Sequence, residues 1–280
     1  MTPLRVETRF RSVIYTPASK SRLKDSAGAH WKGLGQGVSK EHTLPDGTFP
    51  ALPAVPDELR SVIRDEDAPS KTRKFGLIGV LPGKTMLDEA FTVDQLKGAR
   101  MRYQLVHIAS HFQFKPGDET KSYLLLGDGS TLTLAQLRTS GMLFSGVDLL
   151  TLACNTAMGD KSGNGKEIEG FGVMAQQQGA KAVLASLWPV ADESTKELMK
   201  VFYRVREARP GTSKAEALRL AQLALLHSRN GSLPTERGLQ IVKASHETPQ
   251  SRSASAKGAN KAPYAHPYFW APFILIGNWK

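Results

Sequence analysis

Val147-Asp148-Leu149-Leu150-Thr151-Leu152-Ala153 is a short, nearly continuous apolar run that stops at Cys154, the single cysteine of the chain. A second run of the same kind, Leu105-Val106-His107-Ile108-Ala109, stops at Ser110-His111. Phe75–Leu81, Tyr123–Leu126 and Ala182–Leu187 repeat the pattern. Runs this short and this apolar read as strands buried on both faces. Helical periods follow several of them. One segment carries Leu132, Leu134, Leu137 and Leu143. Another carries Phe171, Val173 and Met174 and stops at Gly179. Residues 194–208 and 213–228 read as amphipathic helices, begun by Ser194/Thr195 and Thr212/Ser213 and separated by Pro210-Gly211. Strands alternating with helices predict an α/β fold with a mostly parallel sheet covered on both faces. Within it, 105–109, 147–153 and 182–187 are expected to lie parallel, with 147–153 in the middle.

Outward from these runs the signals weaken. Val13-Ile14-Tyr15 reads as a strand, but residues 1–49 as a whole read as irregular. Gly33, Gly35 and Gly37, then Pro45, Pro50, Pro53 and Pro56, mark turns and extended chain. Asp57 is placed to cap a short helix over 58–64. The charged stretch 65–74 reads as a loop. Gly83-Lys84-Thr85 ends like a phosphate-binding loop, but the spacing from Gly79 is one residue short. Pro82 also has no amide to offer a phosphate, so a turn after a strand is the favoured reading. Gly127-Asp128-Gly129 is likewise a turn. Residues 229–262 hold few large apolar groups, and 244–261 reads as a mobile surface insertion. Order returns at Tyr268-Phe269-Trp270, and Phe273-Ile274-Leu275-Ile276 reads as a final strand.

The 280 residues are 40% hydrophobic, enough for a sizeable core, which excludes wholesale disorder. One cysteine excludes an intramolecular disulfide and any multi-cysteine metal site. The opening MTPLRVETRF has no apolar run of a secretory leader, and no stretch reaches the roughly 18 apolar residues of a membrane span. A cytoplasmic protein with no membrane partner is the expectation. Lys and Arg number 37 against 26 Asp and Glu, a net charge of +11. The excess is spread along the chain without basic–aromatic interleaving, so nucleic acid is not the expected partner.

His111 and Cys154 each stand just past the C-terminal end of a buried strand. In parallel α/β sheets, ligands bind outside those ends. If the two strands are neighbours, the imidazole can take the thiol proton, and the thiolate is the nucleophile. The alternative for Cys154 is a small buried hydrophobe. His107 and His111 flank a strand end rather than sharing a helix face, and no cysteine cluster accompanies them. Metal is therefore not expected, and His107 reads as a satisfied core histidine. Over Ser186–Ser194 a strand ends, Trp188 follows, Pro189 breaks the ladder, and Asp192 and Glu193 precede a helix. Either Asp192 or Ser194 caps that helix, or Trp188 and Asp192 are the aromatic wall and carboxylate of a pocket for a Lys or Arg side chain.

Taken in order, HIASHF (107–112), LTLACNTA (150–157), KAVLASLWPVADEST (181–195) and HPYFWAPFILIGNW (266–279) resemble the CHAT family. These are caspase-like domains commonly attached to tetratricopeptide repeats in bacteria. The resemblance covers about 50–280, a caspase-like peptidase domain, with 1–49 as its N-terminal part. It implies a three-layer sandwich with a mostly parallel central sheet, and a cysteine endopeptidase with His111 as base and Cys154 as nucleophile. The backbone amides of Phe112 and Cys154 are then the oxyanion donors, and the chemistry needs no metal or cofactor. Separases, in the same clan, have a similar Leu-Trp stretch. The Asp of their basic-residue pocket matches Asp192, which implies cleavage after Lys or Arg. Phe112 departs from the pattern, since many members have glycine after the catalytic histidine. The implied partners are a protein substrate encoded by a neighbouring gene and a tetratricopeptide-repeat regulator. The alternative is a catalytically silent CHAT scaffold that acts as a protein-interaction module, which the Phe112 departure would fit.

Overall fold

The computed structural model describes residues 30–65, 79–99, 101–115, 117–153, 155–157, 166–188, 190, 192–209, 211–228 and 263–280, together with the backbone of 13–14. Four of the apolar runs, over 105–109, 147–153, 182–187 and 273–276, join Val13–Ile14 and three strands that carried no such run in an eight-stranded sheet. Of the Phe75–Leu81 run, residues 75–78 lie outside the described residues and only Leu81 is in a strand. The order of the sheet is β1 (Val13–Ile14), β14 (Phe273–Gly277), β13 (Ala182–Ser186), β11 (Leu149–Leu152), β7 (Leu105–Ala109), β2 (Gly33–Gly37), β6 (Leu81–Leu87) and β5 (Ile63–Asp65). Neighbouring strands are parallel except β13 and β14. As expected, β11 lies between β7 and β13, and Val147, Leu149 and Leu150 are fully buried.

Two helical layers cover this sheet, as its two apolar faces require. On one face lie α1 (Val55–Val62), α5 (Asp192–Ala208) and α6 (Lys214–Leu226). Leu198, Phe202, Leu218 and Leu225 meet Leu105, Leu149, Leu184 and Leu275 there. On the other lie α2 (Val93–Gly98), α3 (Leu134–Arg138) and α4 (Lys166–Gln177). Leu96, Leu137, Phe171 and Met174 join the alternate strand residues Val106, Ile108, Leu150 and Val183. Each large apolar side chain buried in this way contributes about 1.5–3 kcal/mol. A four-stranded sheet packs into the second layer, in the order β10 (Thr131–Thr133), β9 (Tyr123–Leu125), β8 (His111–Gln113) and β12 (Asn155–Ala157). A separate hairpin is formed by β3 (His42–Leu44) and β4 (Gly47–Phe49). The molecule is thus a mixed α/β sandwich of the caspase-like kind.

Several expectations are corrected. Gly33, Gly35 and Gly37 do not mark turns; they form β2, a buried strand inside the main sheet. Their missing side chains let α1 lie directly on the strand. A Cβ at Gly37 would overlap Val55 and stand 3.1 Å from Leu59 Cδ1, and one at Gly35 would stand 3.2 Å from Ile63 Cγ1. Gly83-Lys84-Thr85 is no turn either, because it runs inside β6, where the Thr85 amide and hydroxyl both donate to Asp65 Oδ2 at 2.8 Å. Asp57 does not cap α1. The helix starts two residues before it, with Pro56 in the first turn, and Asp57 pairs with Arg60. Leu132 lies in β10 and only 134–138 of its segment is helical. The Tyr123–Leu126 run enters the small sheet, antiparallel to its neighbours. Tyr268 and Phe269 lie in a 3-10 turn. Gly179 ends the α4 segment at φ 109°, Gly211 separates α5 from α6 at φ 89°, and Ser213 caps α6 by accepting from the Glu216 amide at 3.2 Å. The stretch read as a mobile insertion, 244–261, lies outside the described residues.

Candidate active site

Two parallel strands carry the site. β7 passes through Ser110 into β8, and β11 passes through Ala153 and position 154 into β12. The main-sheet pairing of β11 with β7 matches Leu149 to Leu105 and Leu152 to Ile108. Beyond the break the same register resumes, with Asn155 opposite His111 and Thr156 opposite Phe112. Both strands therefore leave the main sheet together and pair again in the small one. Ser110 fixes the crossing, its hydroxyl donating to the Leu125 carbonyl at 2.6 Å. Cys154 itself lies outside the described residues. Its neighbour Asn155 is the pairing partner of His111.

His111 is almost fully buried. Its Nε2 stands 2.8 Å from the carbonyl oxygen of Pro50. A carbonyl can only accept, so Nε2 carries the hydrogen, and a neutral ring then keeps Nδ1 as its basic nitrogen. The Phe49 ring lies 5.4 Å from the imidazole at 56°. Together, Phe49 and Pro50 fix both the plane and the tautomer of the ring. Neither was visible as a site residue in the sequence. Pro50 acts through a backbone atom, and the only signal was the extended chain that its proline cluster implied.

Phe112 stands next to His111 with its backbone in β8, flanked by β9 and β12. Consecutive strand residues face opposite sides. The Phe112 ring accordingly turns into the core and meets Phe171 edge-on at 5.2 Å, away from the imidazole. Trp188 follows β13 on the same edge of the sheet, half-buried, and its indole donates to the Tyr268 carbonyl at 3.1 Å. Asp192 is the first residue of α5, two residues earlier than the start read at Ser194. Its side chain lies outside the described residues. A carboxylate in a first helical turn is favoured by the positive end of the helix dipole.

His107 does not belong to this site. It is buried on the α1/α5 face of β7, with Nε2 2.8 Å from Glu58 Oε1 and Nδ1 3.1 Å from the Tyr203 hydroxyl. Tyr203 also bonds Thr151 Oγ1 at 2.7 Å, and full burial pushes its phenol far above the usual range. His107 is thus the satisfied core histidine that the sequence suggested. Among the described residues no cluster of His, Cys, Asp and Glu could hold a metal, and no helix is long and apolar enough to cross a membrane.

The fold and this strand-end site define a caspase-like α/β domain. The CHAT domain family model matches residues 6–278, nearly the whole chain, and the chain belongs to that family, which is related to the caspase-like cysteine peptidases. No curated protein matches the chain.

Proposed function

We propose that this chain is a cysteine endopeptidase that uses a His111–Cys154 dyad to cleave a protein substrate after Lys or Arg. The observation that carries the reading is the shared register across the break, which pairs Asn155, the residue after the cysteine, with His111. The Pro50 bond adds to it, because it leaves Nδ1 as the base. His111 withdraws the thiol proton, and the thiolate attacks the scissile carbonyl. On this reading the backbone amides of Cys154 and Phe112 are the oxyanion donors, each such donor being worth about 3 kcal/mol. His111 then protonates the leaving amine, and water releases the acyl group. The departure at Phe112 does not oppose this sequence, since its ring is spent in the core.

Specificity rests on Asp192 as counter-charge and Trp188 as pocket wall. A carboxylate pairs a guanidinium through two charge-assisted bonds, and a neutral substrate would leave it desolvated for no return. Peptides that differ only in the residue before the cut test this. Wild type should prefer Arg and Lys, and Asp192→Ala should lose that preference by roughly 10- to 100-fold, the worth of a hydrogen bond to a charged group. A wild-type preference for Asp, or an Asp192→Ala enzyme with full basic selectivity, would reduce Asp192 to a helix-start residue. No cleavage of any peptide, together with retained capture of a protein partner, would favour the silent scaffold.

A further inference from the structure

The mechanism uses the Pro50 carbonyl, but Pro50 is exposed and lies just past a two-stranded hairpin that belongs to neither large sheet. Something must hold that hairpin against His111, and the structure supplies two anchors. At the base, Asp88 follows directly on β6, in a 3-10 turn, with a left-handed backbone, φ 49°, and a buried carboxylate. Its Oδ1 accepts from the Ser39 amide at 2.7 Å and the Lys40 amide at 3.3 Å, and its Oδ2 accepts from the Ser39 hydroxyl at 2.7 Å. Ser39 and Lys40 are the residues that lead into β3. At the tip, Tyr123 of β9 donates to Asp46 Oδ2 at 2.6 Å. Burial, and then the Asp46 carboxylate, push the Tyr123 phenol far above its usual range, so it stays a donor at any working pH. Between the anchors Phe49 lies 5.4 Å from the His111 ring and 6.2 Å from the Tyr123 ring.

We propose that the 42–49 hairpin is the element that orients His111, and that Asp88 and the Tyr123–Asp46 pair are positioning residues that latch it at base and tip. None of them needs to touch substrate. The chain of contacts runs from Asp88 through Ser39 and Lys40 to the hairpin, and from the hairpin through Phe49 and Pro50 to the imidazole. It rests on the reading of His111 as the base. Its consequence is separable from that reading, because the tautomer and order of the ring can be observed without any turnover.

The test is the imidazole nitrogen spectrum of His111 in the 15N-labelled 280-residue chain, assigned with His111→Gln, beside peptide kinetics. In the wild type, Nδ1 and Nε2 should give well-separated signals, as a ring locked with hydrogen on Nε2 does. In Asp88→Ala, Tyr123→Phe and Asp46→Ala, the two signals should move towards the average of a free ring. Their kcat should fall about 10-fold with KM little changed, since ground-state binding is untouched while the base is misplaced. Asp88→Asn should rescue both readouts. Asparagine tolerates the left-handed backbone, keeps an oxygen for the two amides, and can donate to the Ser39 hydroxyl. Wild-type His111 signals in folded Tyr123→Phe and Asp46→Ala would overturn the proposal, and these tip variants decide the matter should Asp88→Ala fail to fold. If the His111 signals respond as stated but the wild type cleaves no peptide, the latch stands and the peptidase reading falls.

Discussion

Cys154→Ala should abolish peptide cleavage and His111→Ala should lower it by about 1,000-fold or more, while both proteins should keep a near-wild-type circular dichroism spectrum. The first loss follows because no other thiol exists in the chain to replace the nucleophile. The second follows from the ring's placement. Nε2 is committed to Pro50 at 2.8 Å, so a base acting through Nδ1 is removed outright rather than weakened. General base catalysis of this kind accounts for about 100- to 10,000-fold in rate. The fold should survive both changes, because the strands on either side of the break are paired in two sheets by backbone bonds that neither substitution touches. His111→Ala leaves a small void beside Phe49, and its thermal midpoint should fall by a few degrees. Active-site titration with a thiol-reactive peptide inhibitor checks the assignment independently of turnover. Labelling should need Cys154 and should slow strongly in His111→Ala. A Cys154→Ala protein that cleaves as fast as wild type would remove the dyad altogether.

What the sequence disclosed and what it hid divide along a physical line. β7, β11 and β13 were legible because strands covered on both faces read as nearly continuous apolar runs, with buried polar residues such as His107 and Thr151 as exceptions. Strand-end placement then singled out His111 and the cysteine. The same logic hid β2. It is just as buried, yet it reads Gly-Leu-Gly-Gln-Gly, because it is buried by the approach of helix α1 to bare backbone and not by its own side chains. Glycine marks turns by allowing unusual backbone angles, and here it serves close packing instead. β6 was hidden for a related reason, since Pro82, Gly83 and Lys84 are poor strand formers. His107 was legible as a core residue, but its partners Glu58 and Tyr203 come from distant helices and left no local trace. The setting of His111 was the least legible part. Its key acceptor is a main-chain oxygen of Pro50, and no residue type announces a carbonyl. The hairpin that presents it also lies in the stretch that read as irregular.

The glycines offer the second large effect, and they separate a soft overlap from a hard one. A Cβ on Gly83 in β6 would run into the backbone of Gly33 in β2, its nearest atoms being the carbonyl oxygen, carbon and nitrogen. Gly33 pairs with Gly83 on one side and with Leu105 of β7 on the other. β2 therefore cannot retreat from β6 without disturbing the ladder that leads to the site. Overpacking typically costs about 1–3 kcal/mol, and each backbone bond weakened adds about 1 kcal/mol. Gly83→Ala should thus lose about 3 kcal/mol or more, a large share of the roughly 5–15 kcal/mol that holds a domain folded. At Gly33 the added Cβ would meet the end of the Ile63 side chain, a methyl that can rotate aside. There the strain is partly offset by the lower entropy of the unfolded alanine chain, and the net change should stay within about 1 kcal/mol. Urea denaturation of the two variants beside wild type measures the contrast. Gly83→Ala should shift its midpoint far more than Gly33→Ala. Equal midpoints would mean that β2 and β6 do not approach as closely as their paired glycines require.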